Sequence, residues 1–515
     1  MFCRRGSERY SMKITKEDRF YFFLTFCLMF LIHGFCFTNL MYSHDSLFFY
    51  DTQSLWKIGI GRWLYPLVIR IRQFAAPWSV GLISSFFVAV SVVLVIRILE
   101  LPRRSQNTSI SILFAANITL VSLFCTFIFD GDADCIALFS ACFAVFAFQY
   151  FPKYINLAAA VISLVISLAL YQAYITVAIG LFLFLVMKKV YRAMDREAVI
   201  DTLKYGLKEI AVLFAAAVIY LIIMILLAKV TGVGFYDDYN SPAKVLNLTP
   251  VTVLELIPKC YGYFFSFFFR SDQFNNVFIS IVNMVYFLFI AWVLLRAVIR
   301  SKREYAGRLF ILIPCIVILP LGLNAFYVPA SGEVHELMVY SFCLVYFLPF
   351  LFAEELEIPA KGNLQKALSI VPHVLIALLG LHVFVYGSGA YTYKKLVYDS
   401  SMEHAQIIWK DLMNLDGYEE GKTEVYFVGH FWASNTSYRN EIEKRYLTIL
   451  NSTYPSSISY AGSIDRYFYG ILGKNVNVVT GLGSLKRYPE VQAMPAYPLK
   501  GYCKMIGGTA VVKLK

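Results

Sequence analysis

Charge is scarce in this 515-residue chain: Asp, Glu, Lys and Arg make up 16% of it, against about 25% in ordinary soluble proteins. That excludes a soluble multidomain enzyme and a polar disordered chain. There is no CxxC pair, and the ten cysteines stand singly, so neither a zinc site nor a disulfide framework is indicated. Internal repeats and low-complexity runs are missing too, which gives no support to a transporter built from duplicated halves. No small-residue cleavage site follows the first apolar run, and that run is expected to stay as an anchor.

Apolar residues fill the chain instead, at 59% overall and 17% aromatic, gathered in stretches of bilayer-spanning length. Eleven spans are predicted, at 20–42, 80–99, 109–129, 133–151, 155–170, 174–187, 210–230, 274–295, 309–326, 337–352 and 367–386. The expected fold class is an all-α polytopic membrane protein with about 11 transmembrane helices. The fifth and sixth spans, separated by Tyr171-Gln172-Ala173, form a tight hairpin. Residues 387–515 turn abruptly polar and are the only soluble piece large enough for a core of its own. They read as a helix near 402–415, a strand at 424–429, a helix around 439–450 and short strands near 476–479 and 508–513. A transmembrane domain (1–386) followed by a small α/β domain (387–515) results.

The net charge of +12 does not point to nucleic acid, because its placement orients the chain. Arg4, Arg5, Arg9, Lys13, Lys16 and Arg19 precede the first span, and the gaps after even-numbered spans are rich in Lys and Arg. The opposite gaps hold few: Lys57, Arg62, Arg70 and Arg72 in the first, then Lys244, Lys259 and Arg270 in the fourth. The positive-inside rule puts the N-terminus in the cytoplasm and, with eleven spans, the C-terminal domain outside.

The outer gaps carry the unusual residues. Gap 43–79 holds His44 and Asp45, then Trp56 and Gly61-Arg62-Trp63, with apolar residues at helical spacing. It is expected to lie in the interface plane, anchored by Trp56, Trp63 and Trp78. Asp45 sits within a turn of the first span, where a carboxylate is costly unless paired or used. The second outer gap, Asp130-Gly131-Asp132-Ala133-Asp134, alternates three carboxylates with no cation inside it. Those acids are either a second acidic element facing Asp45, able to hold a divalent cation, or a solvated turn. Cys135 and Ala141 at the sixth and twelfth positions exclude an EF-hand.

Arg62 and Arg270 are the outer arginines suited to gripping a lipid phosphate, and snorkelling to headgroups is the bland reading of each. His335 and Glu333 are placed to orient a sugar or pyrophosphate, or are ordinary loop residues. The run 261–270 either lines a sugar cleft or forms an aromatic belt. His33, His373 and His382 lie inside apolar spans and are expected to be satisfied by helix–helix hydrogen bonds.

Taken together, the outer-face Asp45 in His44-Asp45-Ser46-Leu47, the Gly61-Arg62-Trp63 loop with Pro66, the acidic second gap, the Tyr171-Gln172-Ala173-Tyr174 corner and the exported tail resemble bacterial membrane glucosyltransferases that decorate O-antigen and related surface polymers, within the GT-C class. The resemblance covers roughly 20–386 and is strongest in the first 180 residues. It implies a GT-C-like fold in the bacterial cytoplasmic membrane, a polyprenyl-phosphate-linked hexose donor, a surface glycan acceptor and inverting transfer at the outer face. It implies Asp45 as base, with Asp132 and Asp134 as further catalytic candidates, and Arg62 then Arg270 on the departing lipid phosphate. His44, Tyr171, Gln172 and His335 would line the site. No metal ligand or cofactor is assigned, and a divalent cation stays open. The alternatives are a lipid-linked-glycan flippase or transporter, whose charges would lie at mid-bilayer, and a polysaccharide polymerase or ligase, which leans on an arginine-rich mid-chain loop. A non-enzymatic receptor is the blandest reading.

Overall fold

A computed structural model describes residues 13–42, 56–73, 76–235, 244, 247–270, 274–356, 363–429, 446, 461–479 and 485–514. Among them eight helices are long and apolar enough to cross a membrane, and two shorter apolar helices, Ile155–Leu170 and Tyr340–Leu351, accompany them. The chain is a multi-pass membrane protein. Each of the eleven expected segments falls on helix, although 274–295 and 309–326 belong to one stretch, Val277–Leu323, bent at a 3-10 turn over Ala306–Arg308.

The first half of the bundle is built from α1 (Lys16–Thr38), two short helices α2 (Trp56–Gly59) and α3 (Tyr65–Arg72), then α4 (Pro77–Leu99), α5 (Arg104–Ala115), α6 (Ile118–Thr126), α7 (Gly131–Tyr150) and α8 (Ile155–Leu170). Helix α1 starts at a capping box: Asp18 N–H donates to Thr15 Oγ1 (3.1 Å) while the Asp18 carboxylate accepts from Thr15 N–H (2.6 Å). The same carboxylate pairs with Arg97 of α4 at 2.5 Å, tying one end of α1 to α4. Without a hydrophobic drive between helices in lipid, close approach rests on small residues. Ala133, Ala137, Ala141 and Ala144 of α7 are fully buried where it packs on α4 and α8. At Gly81 of α4 a Cβ would fall inside the Phe37 ring of α1.

The second half holds α9 (Ile175–Tyr191), α10 (Arg196–Thr231), α11 (Pro250–Phe269), α12 (Val277–Tyr305), α13 (Leu309–Leu323) and α14 (Asn363–Met413). Helix α11 lies within the long outer gap over 231–273, where the sequence predicts no element. Pro250, Glu255, Pro258 and Lys259 depress the local hydropathy, yet Leu256, Cys260, Phe264 and Phe268 recur every four residues and are buried as one stripe. Pro250 stands at N1, where its missing N–H is harmless, and Thr249 caps the helix from in front. The three intramembrane histidines are satisfied as expected: His33 by Tyr391 (2.6 Å) and the Ala115 carbonyl (3.0 Å), His373 by Ser109 (2.8 Å), His382 by the Phe274 carbonyl (2.8 Å).

Helix α14 runs unbroken for 51 residues through 386–387 and takes in the helix expected at 402–415. Beyond it lies a four-stranded sheet of order β2-β1-β4-β3, with β1 (Glu424–Val428), β2 (Asn477–Val478), β3 (Cys503–Ile506) and β4 (Thr509–Lys513). Strand β1 is parallel to both neighbours, and β3–β4 is an antiparallel hairpin. Its turn residues, Gly507 (φ 57°) and Gly508 (φ 84°), supply the two positive φ values a tight primed turn needs. Strand β3 was not anticipated, and the helix expected at 439–450 lies largely outside the described residues. Tyr502 O–H donates to Asp411 (2.7 Å), and His404 meets Tyr497 (2.5 Å), seating the sheet against the end of α14.

Candidate active site at one end of the bundle

The elements that matter meet at the bundle end nearer the sheet. After α2 the chain reverses at Gly61, whose φ of 81° suits glycine, with Arg62 N–H donating to the Lys57 carbonyl (2.8 Å). Three bonds from distant elements hold this turn. Gln172 donates to the Ile60 carbonyl (2.9 Å), Tyr220 O–H to the Gly61 carbonyl (2.9 Å), and Leu64 N–H to the Ala169 carbonyl (3.1 Å). Gln172 also reaches Tyr220 at 3.0 Å, so the corner between α8 and α9 and the wall of α10 grip the loop together. The Arg62 guanidinium lies over the Tyr171 ring, 4.3 Å from its centroid. A cation on an aromatic face is held in place without neutralising its charge.

The three acids are not a solvated loop. Asp130 ends a 3-10 turn, Ile128–Asp130, and Asp132 and Asp134 stand in the first turn of α7, where the helix macrodipole favours negative charge. Gly131 permits the tight start, since a Cβ there would meet the Phe124 ring at 2.8 Å. The cations absent from that gap come from the preceding one, far away in sequence. Lys57 pairs with Asp130 at 2.6 Å and Arg72 with Asp132 at 2.8 Å, with all four side chains largely buried. Tyr65 donates its hydroxyl to the other oxygen of Asp130. Lys57 further sits over the Tyr65 ring, 4.1 Å from its centroid. Burial pulls the Lys57 ammonium below its ordinary range, and the Asp130 charge opposes that fall. Removing one partner of such a buried pair strands the other charge at a cost of about 3–5 kcal/mol.

Asp134 stands apart. It is buried, and its Oδ1 has no hydrogen-bond partner. Arg62 and Lys57 are the cations whose fields reach it. The Tyr174 hydroxyl is likewise buried without a bond, within the field of Asp134. Among the described residues, no group of three or more His, Cys, Asp or Glu is gathered as a metal would require.

The structure therefore brings together Arg62, Tyr171, Gln172, Asp132 and Asp134 from the sequence-derived set. Asp45 and His44 lie outside the described residues. Arg270 follows the last residue of α11 and is exposed; the cations at the three acids are Lys57, Arg72 and Arg62. Glu333 pairs with Lys244 at 2.5 Å and is largely exposed. Lys57, Tyr65 and Arg72 carried no site assignment from the sequence. The available signal was that two cations of the first outer gap matched two acids of a second gap that had none.

His335 is half-buried in the segment before Tyr340–Leu351, within the positive field of Arg62. Burial first, and that field second, lower its pKa from 6.5 to about 4. The folded state resists protonation there, so between about pH 4 and 6.5 the unfolded chain binds more protons. Stability contributed by neutral His335 is present above pH 6.5 and lost as pH falls towards 4. Thermal unfolding in detergent should show a Tm that drops across this window in the wild type, and drops less in His335→Gln.

The Glucosyl transferase GtrII family matches residues 34–353, which takes in the Gly61–Arg62 loop, the three acids, the Tyr171–Tyr174 corner and His335. No curated protein and no solved structure matches the chain. With more than half its length matched, and with that match spanning the braced loop and the acids it meets, the chain belongs to the glucosyl transferase GtrII family and is a multi-pass membrane glucosyltransferase.

Proposed function

We propose that this chain transfers glucose from a polyprenyl-phosphate-linked donor to a surface glycan or lipid-linked polysaccharide, with inversion, at the outer face of the bacterial cytoplasmic membrane. Eleven spans then place the N-terminus in the cytoplasm and the sheet domain, residues 387–515, outside. The cation distribution along the sequence supports this orientation. The observation that carries the reading is the seat of Arg62, stacked on Tyr171 in a loop braced from α10 and the α8–α9 corner. A guanidinium seated on an aromatic ring, with its field reaching the buried Asp134, is a fixed donor suited to a phosphate that gains charge as it leaves.

In the reaction an acceptor hydroxyl oxygen forms a bond to C1 of glucose as the bond from C1 to the phosphate oxygen breaks. The hydroxyl proton passes to a carboxylate base, assigned to Asp45, and the electron pair of the broken bond leaves with the lipid phosphate, facing Arg62. The transition state has oxocarbenium character, so a carboxylate on the acceptor side suits it. Because Lys57 and Arg72 already neutralise Asp130 and Asp132, those acids serve to fix the loop that carries Arg62.

The test is transfer in reconstituted membranes supplied with radiolabelled polyprenyl-phosphate glucose and lipid-linked acceptor glycan. Label is expected to pass to the acceptor. If no polyprenyl-phosphate hexose donates label, the reading fails and a lipid-linked-glycan flippase takes its place.

A further inference from the structure

The segment that follows Ser331 does not stay at the surface. Glu336 begins a 3-10 turn, Glu336–Met338, whose backbone is bolted to the start of α6: Thr119 O–H donates to the Glu336 carbonyl (2.7 Å), and Asn117 donates to the Tyr340 carbonyl (3.2 Å). Thr119 lies seven residues before Thr126, the end of α6, which is roughly 10 Å along the helix axis at about 1.5 Å per residue. The turn therefore dips into the bundle beneath the level of the Asp130 cluster.

At that depth Glu336 keeps part of its surface open, and its carboxylate makes no ion pair or hydrogen bond to another side chain among the described residues. Tyr263 of α11 stands within its field and is half-buried. Next along the chain, His335 lies in the field of Arg62. A run of rings leads from Arg62 to this turn: Tyr171 under the guanidinium, Tyr174 5.7 Å from Tyr171, and Tyr340 5.6 Å from Tyr174. Tyr263 meets Phe342 at 6.4 Å, on the far side of Tyr340 in the chain. An acid inside a membrane bundle is costly unless it has a partner or a use, and among the described residues no cation pairs with this one. Hydroxyl groups are the donors a lone carboxylate takes up, and aromatic walls accept the apolar faces of a hexose ring.

We propose that Glu336 is a sugar-binding residue, its carboxylate accepting hydrogen bonds from hydroxyls of the donor's glucosyl unit, with Tyr263 beside it. This rests on the transfer reaction proposed above. It follows from position: Arg62 takes the phosphate, and the sugar attached to that phosphate lies along the rings that lead from Arg62 to the Glu336 turn. A site built to bond a hydroxyl discriminates strongly against sugars that lack it or present it wrongly, because its own polar group is then left unpaired.

The experiment compares wild type, Glu336→Gln, Glu336→Ala and Tyr263→Phe in reconstituted membranes, with polyprenyl-phosphate glucose and polyprenyl-phosphate galactose as donors. Glu336→Ala is expected to raise the donor KM at least tenfold and to shrink the preference for glucose over galactose by a similar factor. Glu336→Gln should lie between, and the acceptor KM should not move. Tyr263→Phe removes only a hydroxyl and should raise the donor KM severalfold, which keeps the proposal testable if Glu336 variants do not fold. Folded variants with wild-type donor KM and glucose preference overturn it, as does a change confined to the acceptor KM. A wild type that transfers nothing from any polyprenyl-phosphate hexose overturns the parent reading, and this one with it.

Discussion

Arg62→Ala is expected to lower kcat for glucosyl transfer by roughly 10²–10³-fold, the usual loss when one fixed donor to a developing oxyanion is removed. The size follows from how the side chain is held. Its guanidinium lies on the Tyr171 ring, its loop is bonded from Gln172 and Tyr220, and the site needs no reorganisation as charge builds on the phosphate. Arg62→Lys keeps the charge but loses the planar fork and the stacking, so it should recover only a part. Tyr171→Leu tests the seat separately: Arg62 remains but its orientation is freed, and activity should fall by about tenfold through kcat. Steady-state kinetics in reconstituted membranes read all three. Full activity in Arg62→Ala would remove Arg62 from the leaving-group site.

The part of the site that sequence could show was its local chemistry. Arg62 stood out because a guanidinium in an outer interfacial gap is suited to gripping a phosphate, and the Tyr171–Tyr174 corner because a polar break separates two apolar runs. The partners of the acids could not be seen the same way. Lys57 meets Asp130 across 73 residues and Arg72 meets Asp132 across 60, and such pairings depend on how α3 lies across the end of α7. Without them, 130–134 reads as an unpaired acidic loop. Hydropathy located the spans, since a long apolar run has one solution in a bilayer. It assigned no span to α11, which is not among the eight helices long and apolar enough to cross a membrane, and two prolines and two charges mask its buried stripe at four-residue spacing. It also placed a boundary at 386–387, where the composition turns polar but the helix of α14 continues. A polar face does not end a helix; a stop signal does. In the sheet, Gly507-Gly508 was a legible hairpin signal, and only the strand after it was taken up.

Asp45→Asn is expected to cut kcat by about 10²–10⁴-fold, the range associated with losing a positioned general base. Asn keeps the size and removes the ability to take a proton, so donor binding should survive while the chemical step fails. The last described residue before Asp45, Tyr42, stacks on Phe129 at 5.5 Å, next to Asp130. The remaining carboxylates separate by mechanism. Asp132→Asn should reduce the yield of folded protein more than kcat, because it leaves Arg72 buried and uncompensated. Asp134→Asn should spare the fold, since its Oδ1 holds no bond to lose, and any loss of rate would come from the field it exerts near Arg62. A pH–rate profile completes the distinction: the acidic limb that reports the base should vanish in Asp45→Asn and persist in Asp134→Asn. If instead the limb vanishes with Asp134→Asn and survives Asp45→Asn, the base belongs to the first turn of α7.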